Sequence, residues 1–233
     1  MPYNMKDEEE VKEFLENLGI EYRFSCFKER KATGCHLLGD YMESIKRDYV
    51  KAAKVYKENC DERHYGHSCF KYATYCSLGR GTPEDKAKSF EYAMKACEAN
   101  YADGCFLAGA SLTDENSEKT KVSESDMIRG VDLLKRACEL GSHHGCHFAS
   151  ARYIEGSGPI TKDMKQAFEL AIKACDLGNI YACSNVALMY RKGLGVAKDE
   201  AKAKFYREKV LDYQEQMKRM RTLRMEEGLD PIN

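Results

Sequence analysis

The chain has 233 residues, and its 37 basic and 38 acidic side chains give a formal net charge of −1 at pH 7. Acids and bases are interspersed, so no basic face argues for nucleic-acid binding. No apolar run approaches the ~20 residues of a membrane span, and the acidic N-terminus resembles neither a secretory leader nor an Arg-rich matrix presequence. We therefore expect protein partners, no nucleic acid, no membrane span and no leader.

The first predicted element is an N-terminal cap within residues 1–34. The stretch MKDEEEVKEFLENLG carries an apolar helical face formed by Val11, Phe14, Leu15 and Leu18. Gly19 is predicted to end this helix, because glycine accepts the left-handed conformation of a helix stop. A polar-faced cap suits the end of a repeat array, where one side of the last unit has no neighbour.

An internal repeat follows, and cysteine marks its register. Ten of the eleven cysteines fall into five pairs with seven or eight residues between them. The second cysteines of successive pairs lie 34, 36, 41 and 37 residues apart. This period is typical of helix–turn–helix solenoids, and no stretch alternates like a strand. We predict an all-α, right-handed α/α solenoid of five helical hairpins over residues 35–209.

Glycines and acids mark the predicted hairpin turns. The first helix of a unit should end at a glycine, as at Gly79/Gly81, Gly156/Gly158 and Gly193/Gly195. The second helix should then begin near a carboxylate that caps free N–H groups: Glu84 and Asp85, Asp163 or Asp199. Small residues early in the first helices should allow close helix contacts: Gly39, Ala73, Gly109 and Ala187.

Two segments depart from the repeat. Residues 113–126, TDENSEKTKVSESD, are polar throughout and predict a mobile loop. A long helix should run from Asp199 past Lys218, with residues 210–233 forming a C-terminal extension and tail. The basic cluster Lys218, Arg219, Arg221 and Arg224 is interpreted as a solvated helix face, with a charged docking site as the alternative.

Each cysteine pair brackets the turn between consecutive hairpins, so two helix ends could bring the sulfurs together. We predict bridges within each pair: Cys26–Cys35, Cys60–Cys69, Cys97–Cys105, Cys138–Cys146 and Cys175–Cys183. Reduced core cysteines are the alternative. Cys76 is left as a free thiol, interpreted as a buried filler, with thiol exchange as the alternative. Such bridges need an oxidising compartment. Without a leader, the mitochondrial intermembrane space is the expected location.

Other candidate sites are weaker. His64 and His67 lie between Cys60 and Cys69, and a second cluster holds His143, His144 and His147. Histidines this close could bind a metal or haem iron, but we interpret both clusters as turn residues and expect no metal site. Two S-x-x-K matches start at Ser25 and Ser68, yet neither S-D-N nor K-T-G completes a serine-hydrolase site. C-x-x-C is also absent.

The repeats resemble a known family. CSNVALMYRKGLGVAKDEAKA (183–203) and QAFELAIKACDLG (166–178) are similar to Sel1-like repeats, which are TPR-like, in the disulfide-bridged branch of Helicobacter cysteine-rich proteins. The likeness runs from about Cys26 to Lys209. The stretches DEEEVKEFLENL (7–18) and AAKVYKENC (52–60) also resemble mitochondrial Sel1 repeat-containing cytochrome c oxidase assembly factors. From about Gln214 the match is poor.

That resemblance implies an intermembrane-space scaffold for assembly of respiratory complex IV, with complex I as a second candidate. Its implied partners are complex IV subunits, assembly factors or copper chaperones, and haem is an implied cofactor without assigned ligands. Two other hypotheses stay open: a thiol–disulfide or haem/copper-handling protein in the same compartment, and a secreted disulfide-rich repeat protein that binds other molecules. No catalytic residue is assigned.

Overall fold

The computed structural model describes residues 3–4, 6–114, 122–156 and 158–226, with side chains described up to residue 222. Within these residues the chain is helical and contains no strand, so the predicted all-α class is confirmed. The helices are α1 Glu8–Phe27, α2 Ala32–Ser44, α3 Tyr49–Arg63, α4 Gly66–Leu78, α5 Lys86–Glu98, α6 Ala102–Leu112, α7 Glu124–Glu139, α8 His143–Glu155, α9 Met164–Asp176, α10 Ile180–Lys192 and α11 Glu200–Glu226. None of these helices is both long and apolar enough to cross a bilayer.

The helices form two compact units, Met1–Ser111 and Leu112–Asn233. In each unit most helices pack against the next helix of the chain, as hairpin stacking requires, and the Cys97–Cys105 pair joins α5 to α6. The predicted division into 1–34, 35–209 and 210–233 stays a prediction, although α11 runs through residues 209 and 210 without interruption.

Glycines in the first unit allow helices to approach closely. Gly39 of α2 faces the ring of Tyr56 on α3, and a methyl group added at Gly39 would overlap that ring. Tyr56 is fully buried, and its hydroxyl donates a 2.6 Å hydrogen bond to Asp40. The ring therefore has little room to move, and residue 39 must remain small.

Gly19 also serves helix packing, so the prediction that it ends the first helix is wrong. The first helix continues through Gly19 to Phe27. A Cβ at this position would lie 2.6 Å from Cζ of Tyr41 on α2. Gly19 is thus a contact point in mid-helix, where close approach outweighs the modest helix-propensity cost of glycine.

The predicted turn signals are confirmed at three hairpins. Helices α4, α8 and α10 end at Gly79, Gly156 and Gly193, each with a left-handed backbone (φ 62°, 72° and 70°). The helices that follow are capped by acidic side chains. Asp85 accepts from the Lys88 N–H at 2.9 Å, Asp163 from Lys165 at 2.9 Å, and Asp199 from Lys202 at 2.9 Å.

The second unit has an apolar core that cysteine and small residues dominate. Cys138, Cys146, Cys175 and Cys183 are buried there beside alanines 167, 171, 174 and 182. The larger side chains of Phe168, Tyr190 and Tyr206 pack around them. The predicted long C-terminal helix is confirmed, because α11 covers Glu200–Glu226.

The predicted loop over 113–126 extends too far. Ser123 caps α7, accepting a 3.1 Å hydrogen bond from the Asp126 N–H, so Glu124, Ser125 and Asp126 are already helical. A serine N-cap followed by acids favours a helix start despite the polar composition. Residues 115–121 of the predicted loop lie outside the described residues.

The Gly39 contact makes a stability prediction. Gly39→Ala should lower the free energy of unfolding by roughly 1–3 kcal/mol, because the added methyl overpacks against the fixed Tyr56 ring. Urea unfolding of the oxidised protein measures the change. Lys54→Ala, at an exposed position of α3, is the control and should stay within about 0.5 kcal/mol of the parent. A Gly39→Ala variant as stable as the parent would show that this packing is loose.

Candidate functional site

The cysteine pairs lie at the junctions between hairpins. The first cysteine of each pair is on the last turn of α1, α3, α5, α7 or α9, and the second is near the start of the next helix. The structure brings together the sulfur atoms of the same five pairs that the sequence predicts, at bonding distance. The paired Cα atoms lie 4.3 to 4.7 Å apart. All ten cysteines are buried.

Local turn chemistry produces this geometry. Between α9 and α10 the chain reverses over Leu177, Gly178 and Asn179, with Gly178 in a positive-φ conformation (95°). The Asn179 N–H donates to the Ala174 carbonyl at 2.9 Å, and its side chain accepts from the Ala182 N–H at 3.0 Å. One short turn thus ends one helix, caps the next and fixes both cysteines.

The two pairs with eight intervening residues use a different turn residue. Arg30 follows α1 and His64 follows α3, and both adopt positive φ (54° and 50°) without being glycine. His64 is the left-handed cap of α3, and its N–H donates to the Cys60 carbonyl at 3.0 Å. The structure therefore gives His64 a role in the turn, in agreement with the interpretation of this histidine cluster as turn residues.

Cys76 lies within α4 and is fully buried. Burial raises the pKa of its thiol, which keeps the thiolate scarce at neutral pH. A thiol that is neither exposed nor readily ionised is a poor nucleophile for disulfide exchange. These observations favour the filler interpretation over exchange with a partner.

The structure also reveals a serine–histidine–acid arrangement that sequence reasoning missed. His36 Nδ1 lies 3.1 Å from the Ser68 hydroxyl, and His36 Nε2 lies 3.6 Å from Asp40. Ser68 is fully buried, and its hydroxyl also accepts a 2.8 Å hydrogen bond from Asn59. A substrate could not reach this oxygen, so the chain of hydrogen bonds fixes α2, α3 and α4 relative to one another.

A sequence signal for this arrangement exists in the cysteine register. His36 follows Cys35 near the start of α2, and Ser68 precedes Cys69 near the start of α4. The two residues therefore lie beside equivalent cysteines in successive repeats. The S-x-x-K match that starts at Ser68 forms no catalytic serine–lysine pair. The ammonium group of Lys71 instead donates to Glu43 at 2.8 Å.

The histidine clusters lie near helix starts. His67 is exposed on α4 and contacts Tyr101, with tilted rings whose centroids lie 4.3 Å apart. His143 and His144 lie side by side at the start of α8 with centroids 3.9 Å apart, and His147 is half-buried one turn further on. Over the described ranges, no three or more His, Cys, Asp or Glu side chains are grouped to hold a metal ion.

Two cavities formed by described residues can be compared with the needs of a haem group. A cavity of about 300 Å³ lies between α10 and α11, and another of about 440 Å³ lies along α7. Neither cavity is lined by a histidine, methionine, cysteine or tyrosine, the side chains that ligate haem iron. These two cavities therefore offer no axial ligand to a haem iron.

Charged networks connect neighbouring hairpins. Asp61 of α3 pairs with Lys57 of the same helix at 2.6 Å and with Lys95 of α5 at 2.9 Å, and it accepts from the Tyr92 hydroxyl at 3.0 Å. Desolvation opposes ionisation of Asp61, but these three donors together hold its pKa below the usual range. Networks of this kind fix the register of successive repeats more than they add stability.

The geometry defines a class: an all-α repeat protein with cysteines paired at its hairpin junctions. The Sel1 repeat family matches residues 32–57, 66–101, 120–142, 143–179 and 180–209. A protective antigen of uropathogenic Escherichia coli with an SLR fold superposes with a TM-score of 0.70 at 22% identity, over 85% of this chain and 41% of that one. A Sel1 repeat protein from Oxalobacter formigenes also gives 0.70, at 20% identity over 89% and 57%. These likenesses show the solenoid fold alone.

Three relatives narrow the class. The "Cytochrome c oxidase assembly factor 7 homolog" of Drosophila melanogaster is 36% identical over 100% of both chains. The Xenopus tropicalis "Cytochrome c oxidase assembly factor 7" is 35% identical over 70% of this chain and 71% of its own. The human protein of the same name is 36% identical over 70% and 72%. The chain therefore belongs to the cytochrome c oxidase assembly factor 7 family of Sel1 repeat proteins.

A hairpin-junction bridge should matter for stability. Cys97→Ser should lower the free energy of unfolding by about 2.5 kcal/mol from chain entropy, with a further loss from a hydroxyl at a packed junction. Urea unfolding without reductant measures it. Cys76→Ala is the control, expected to lose about 1 kcal/mol because it removes one buried sulfur and no bridge.

Non-reducing peptide mapping of the parent should find the five neighbouring pairs; a bridge to Cys76 would contradict this assignment.

Buried histidines make stability depend on pH. Burial lowers the pKa of His36, and the proximity of His67 adds to this, while Asp40 opposes it. Burial also lowers the pKa of His147, helped by His144 and His143. The unfolded chain then binds more protons near the ordinary histidine pKa of about 6.5, so stability should fall as pH drops below that value.

Each histidine can contribute at most about 1.4 kcal/mol per pH unit. Urea unfolding at several pH values between 5 and 7.5 tests this, and His147→Gln should flatten the slope. His64→Gln, at an exposed position, is the matched control. A parent whose stability rises on acidification through this range would contradict the assignment of buried neutral histidines.

Proposed function

We propose that this protein is an interaction scaffold in the mitochondrial intermembrane space that assists assembly of respiratory complex IV. One observation carries the proposal: the full-length match to a relative named for cytochrome c oxidase assembly. The alignment, at 36% identity, covers 100% of both chains. It therefore includes the N-terminal helix, which lies outside the Sel1 matches. Complex I is a second assembly process that we propose to test alongside.

The site chemistry supports a scaffold over an enzyme. The serine of the His36–Ser68 arrangement is fully buried, and so is the thiol of Cys76. Stacked helical hairpins instead offer extended surfaces, which repeat proteins use to bind other proteins. Complex IV subunits, other assembly factors and copper chaperones are the proposed partners.

Two properties together support the proposed compartment. Five cysteine pairs at bonding distance require surroundings that let disulfides persist, which the cytosol does not provide. A role in complex IV assembly requires a mitochondrial location. The intermembrane space satisfies both requirements, because it is oxidising and borders the inner membrane.

The thiol–disulfide alternative has one specific feature to support it, the free thiol of Cys76. Its burial and raised pKa argue against that function. A secreted binding protein would also keep its disulfides, but a relation to oxidase assembly gives no reason for secretion.

Deleting the gene should lower the amount of assembled complex IV, measured on native gels, while complex II stays normal. The parent sequence should restore assembly. Cys97→Ser should restore it poorly, because loss of about 2.5 kcal/mol raises the unfolded fraction and invites proteolysis. Normal complex IV in the deletion strain would refute the proposal.

Cys76→Ala separates the scaffold from the redox alternative. As a scaffold variant it should restore complex IV in proportion to its abundance, because no functional atom is removed. If Cys76→Ala accumulates normally yet fails to restore complex IV, the thiol is functional and the redox hypothesis replaces the scaffold.

Protease digestion before and after outer-membrane rupture tests the compartment: the protein should become accessible only after rupture.

A further inference from the structure

The groove between the two helices of a hairpin receives the first helix of the next hairpin. In the first unit, Tyr75 of α4 packs on Tyr56 of α3 with ring centroids 5.6 Å apart. Lys71 of α4 pairs with Glu43 of α2 at 2.8 Å. The helix α4 therefore contacts both helices of the hairpin before it. These contacts show that the groove is shaped to hold a helix.

The register of the second helices shows that the same face is covered along the array. Counted from the N-cap residue, the eighth position is buried in α3, α5, α7 and α9. The residues at this position are Tyr56, Ala93, Val131 and Ala171, and none is more than 2% exposed. In the second unit, Tyr190 of α10 packs near this face, on Phe168 of α9, with ring centroids 5.1 Å apart.

The corresponding position of α11 is Arg207, and this side chain is exposed. Asp199 caps α11, and Arg207 is the eighth residue after it. Because α11 continues to Glu226, no following first helix covers the groove between α10 and α11 within the described residues. The cavity of about 300 Å³ lies in this groove. We call it the α10–α11 groove.

The floor of the α10–α11 groove is apolar. It is formed by Ala187, Leu188, Ala203 and Val210. An array end that only has to remain soluble needs a polar outer face. Apolar residues at the bottom of a concave surface indicate contact with another apolar surface. The groove therefore has more than the composition of a solvated end.

The rim of the α10–α11 groove carries an excess of positive charge. Three of its lining side chains are basic: Arg191, Lys204 and Arg207. The acidic lining residue, Glu200, pairs with Lys198 at 3.0 Å, and Lys204 lies 3.7 Å from Glu208. With these two neighbours included, four basic side chains stand against two acidic ones. Arg191 and Arg207 form no ion pair with any described residue.

The position of Arg207 determines which helix the groove can accept. A helix seated as in the preceding hairpins would cover the eighth position and bury this guanidinium group. Burial of a charge without a partner is costly, so the incoming helix must supply a carboxylate. The first helices of this chain instead place Tyr75 and Tyr190 against such grooves. Head-to-tail contacts between copies would also tend to form open filaments.

We propose that the α10–α11 groove is a docking site for an acidic amphipathic helix of a partner protein. The partner helix lays its apolar face on Leu188 and Val210, and its glutamates or aspartates pair with Arg191 and Arg207. This inference rests on the proposed scaffold function and deepens it by assigning a binding surface and the partner's chemistry.

The purified full-length protein tests the docking site directly. The probe is a fluorescent 18-residue peptide with leucine on one face of its helix and glutamate on the other, and binding is measured by fluorescence polarisation. A scrambled peptide of the same composition controls for charge alone. The parent should bind the amphipathic peptide at least tenfold more tightly than the scrambled one, and added salt should weaken that binding.

Matched variants locate the binding to the groove. Lys204→Gln/Arg207→Gln should bind the amphipathic peptide at least tenfold more weakly than the parent. Lys12→Gln/Lys54→Gln, on α1 and α3, should bind like the parent. Each pair removes two exposed positive charges and one exposed i,i+4 ion pair, so circular dichroism and the thermal midpoint should be unchanged in both. Equal binding by the two double variants, or by the two peptides, would overturn the proposal.

Two measurements separate a partner helix from other occupants of the groove. The parent should not sediment with phosphatidylserine vesicles; sedimentation that Lys204→Gln/Arg207→Gln abolishes would identify a membrane surface and overturn the proposal. Analytical ultracentrifugation of the parent at micromolar concentration should show a monomer. Oligomers that the same variant dissociates would identify a second copy as the occupant, which would also overturn it.

The deletion strain connects the groove to function. Lys204→Gln/Arg207→Gln should restore complex IV less well than Lys12→Gln/Lys54→Gln at equal abundance, because its partner helix is bound more weakly. Full restoration by Lys204→Gln/Arg207→Gln would overturn the docking site alone, since the deletion phenotype tests the scaffold function independently.

Discussion

The structure depends on how closely two helix ends are held at each hairpin junction. Five short turns bring paired Cα atoms to within 4.3 to 4.7 Å, and this approach leaves room for no side chain much larger than cysteine. Small residues are needed beside the cysteines for the same reason. Gly104 packs against Ala96 next to one pair, and Gly145 packs against Ala137 next to another. The repeat within this chain therefore specifies the size of the side chains at each junction as well as their chemistry.

Polar contacts hold helices together both within a hairpin and between neighbouring hairpins. Tyr56 of α3 donates to Asp40 of α2, and Lys71 of α4 pairs with Glu43 of α2. The Asn59 side chain on α3 reaches both the Ser68 hydroxyl and the Ala32 carbonyl. Directional bonds of this kind tolerate little sliding of one helix along another.

Much of the fold could be predicted because the signals are local and repeated. Helix stops at Gly79, Gly156 and Gly193 and the Asp caps follow from backbone conformation and hydrogen bonding within a few residues. Gly19 was misjudged, because its role depends on Tyr41 of another helix. Ser123 as the cap of α7 was hidden by the polar run around it.

The sites were harder to predict than the fold for the same physical reason. The short, regular spacing of the cysteines predicts possible bridges. The contact of His36 with Ser68, by contrast, joins residues that are 32 positions apart in the sequence. Whether Cys76 is accessible depends on burial, which no spacing reveals.

Only seven or eight residues lie between the paired cysteines, and this has a consequence for entry into the proposed intermembrane-space location. Ends joined by so short a loop meet at high effective concentration, so each neighbouring pair can oxidise before more distant sulfurs compete. Oxidation can then proceed junction by junction along the chain. If the protein occupies the proposed compartment, a junction closed by a disulfide there would hinder the folded part from sliding back, so oxidation would make entry irreversible.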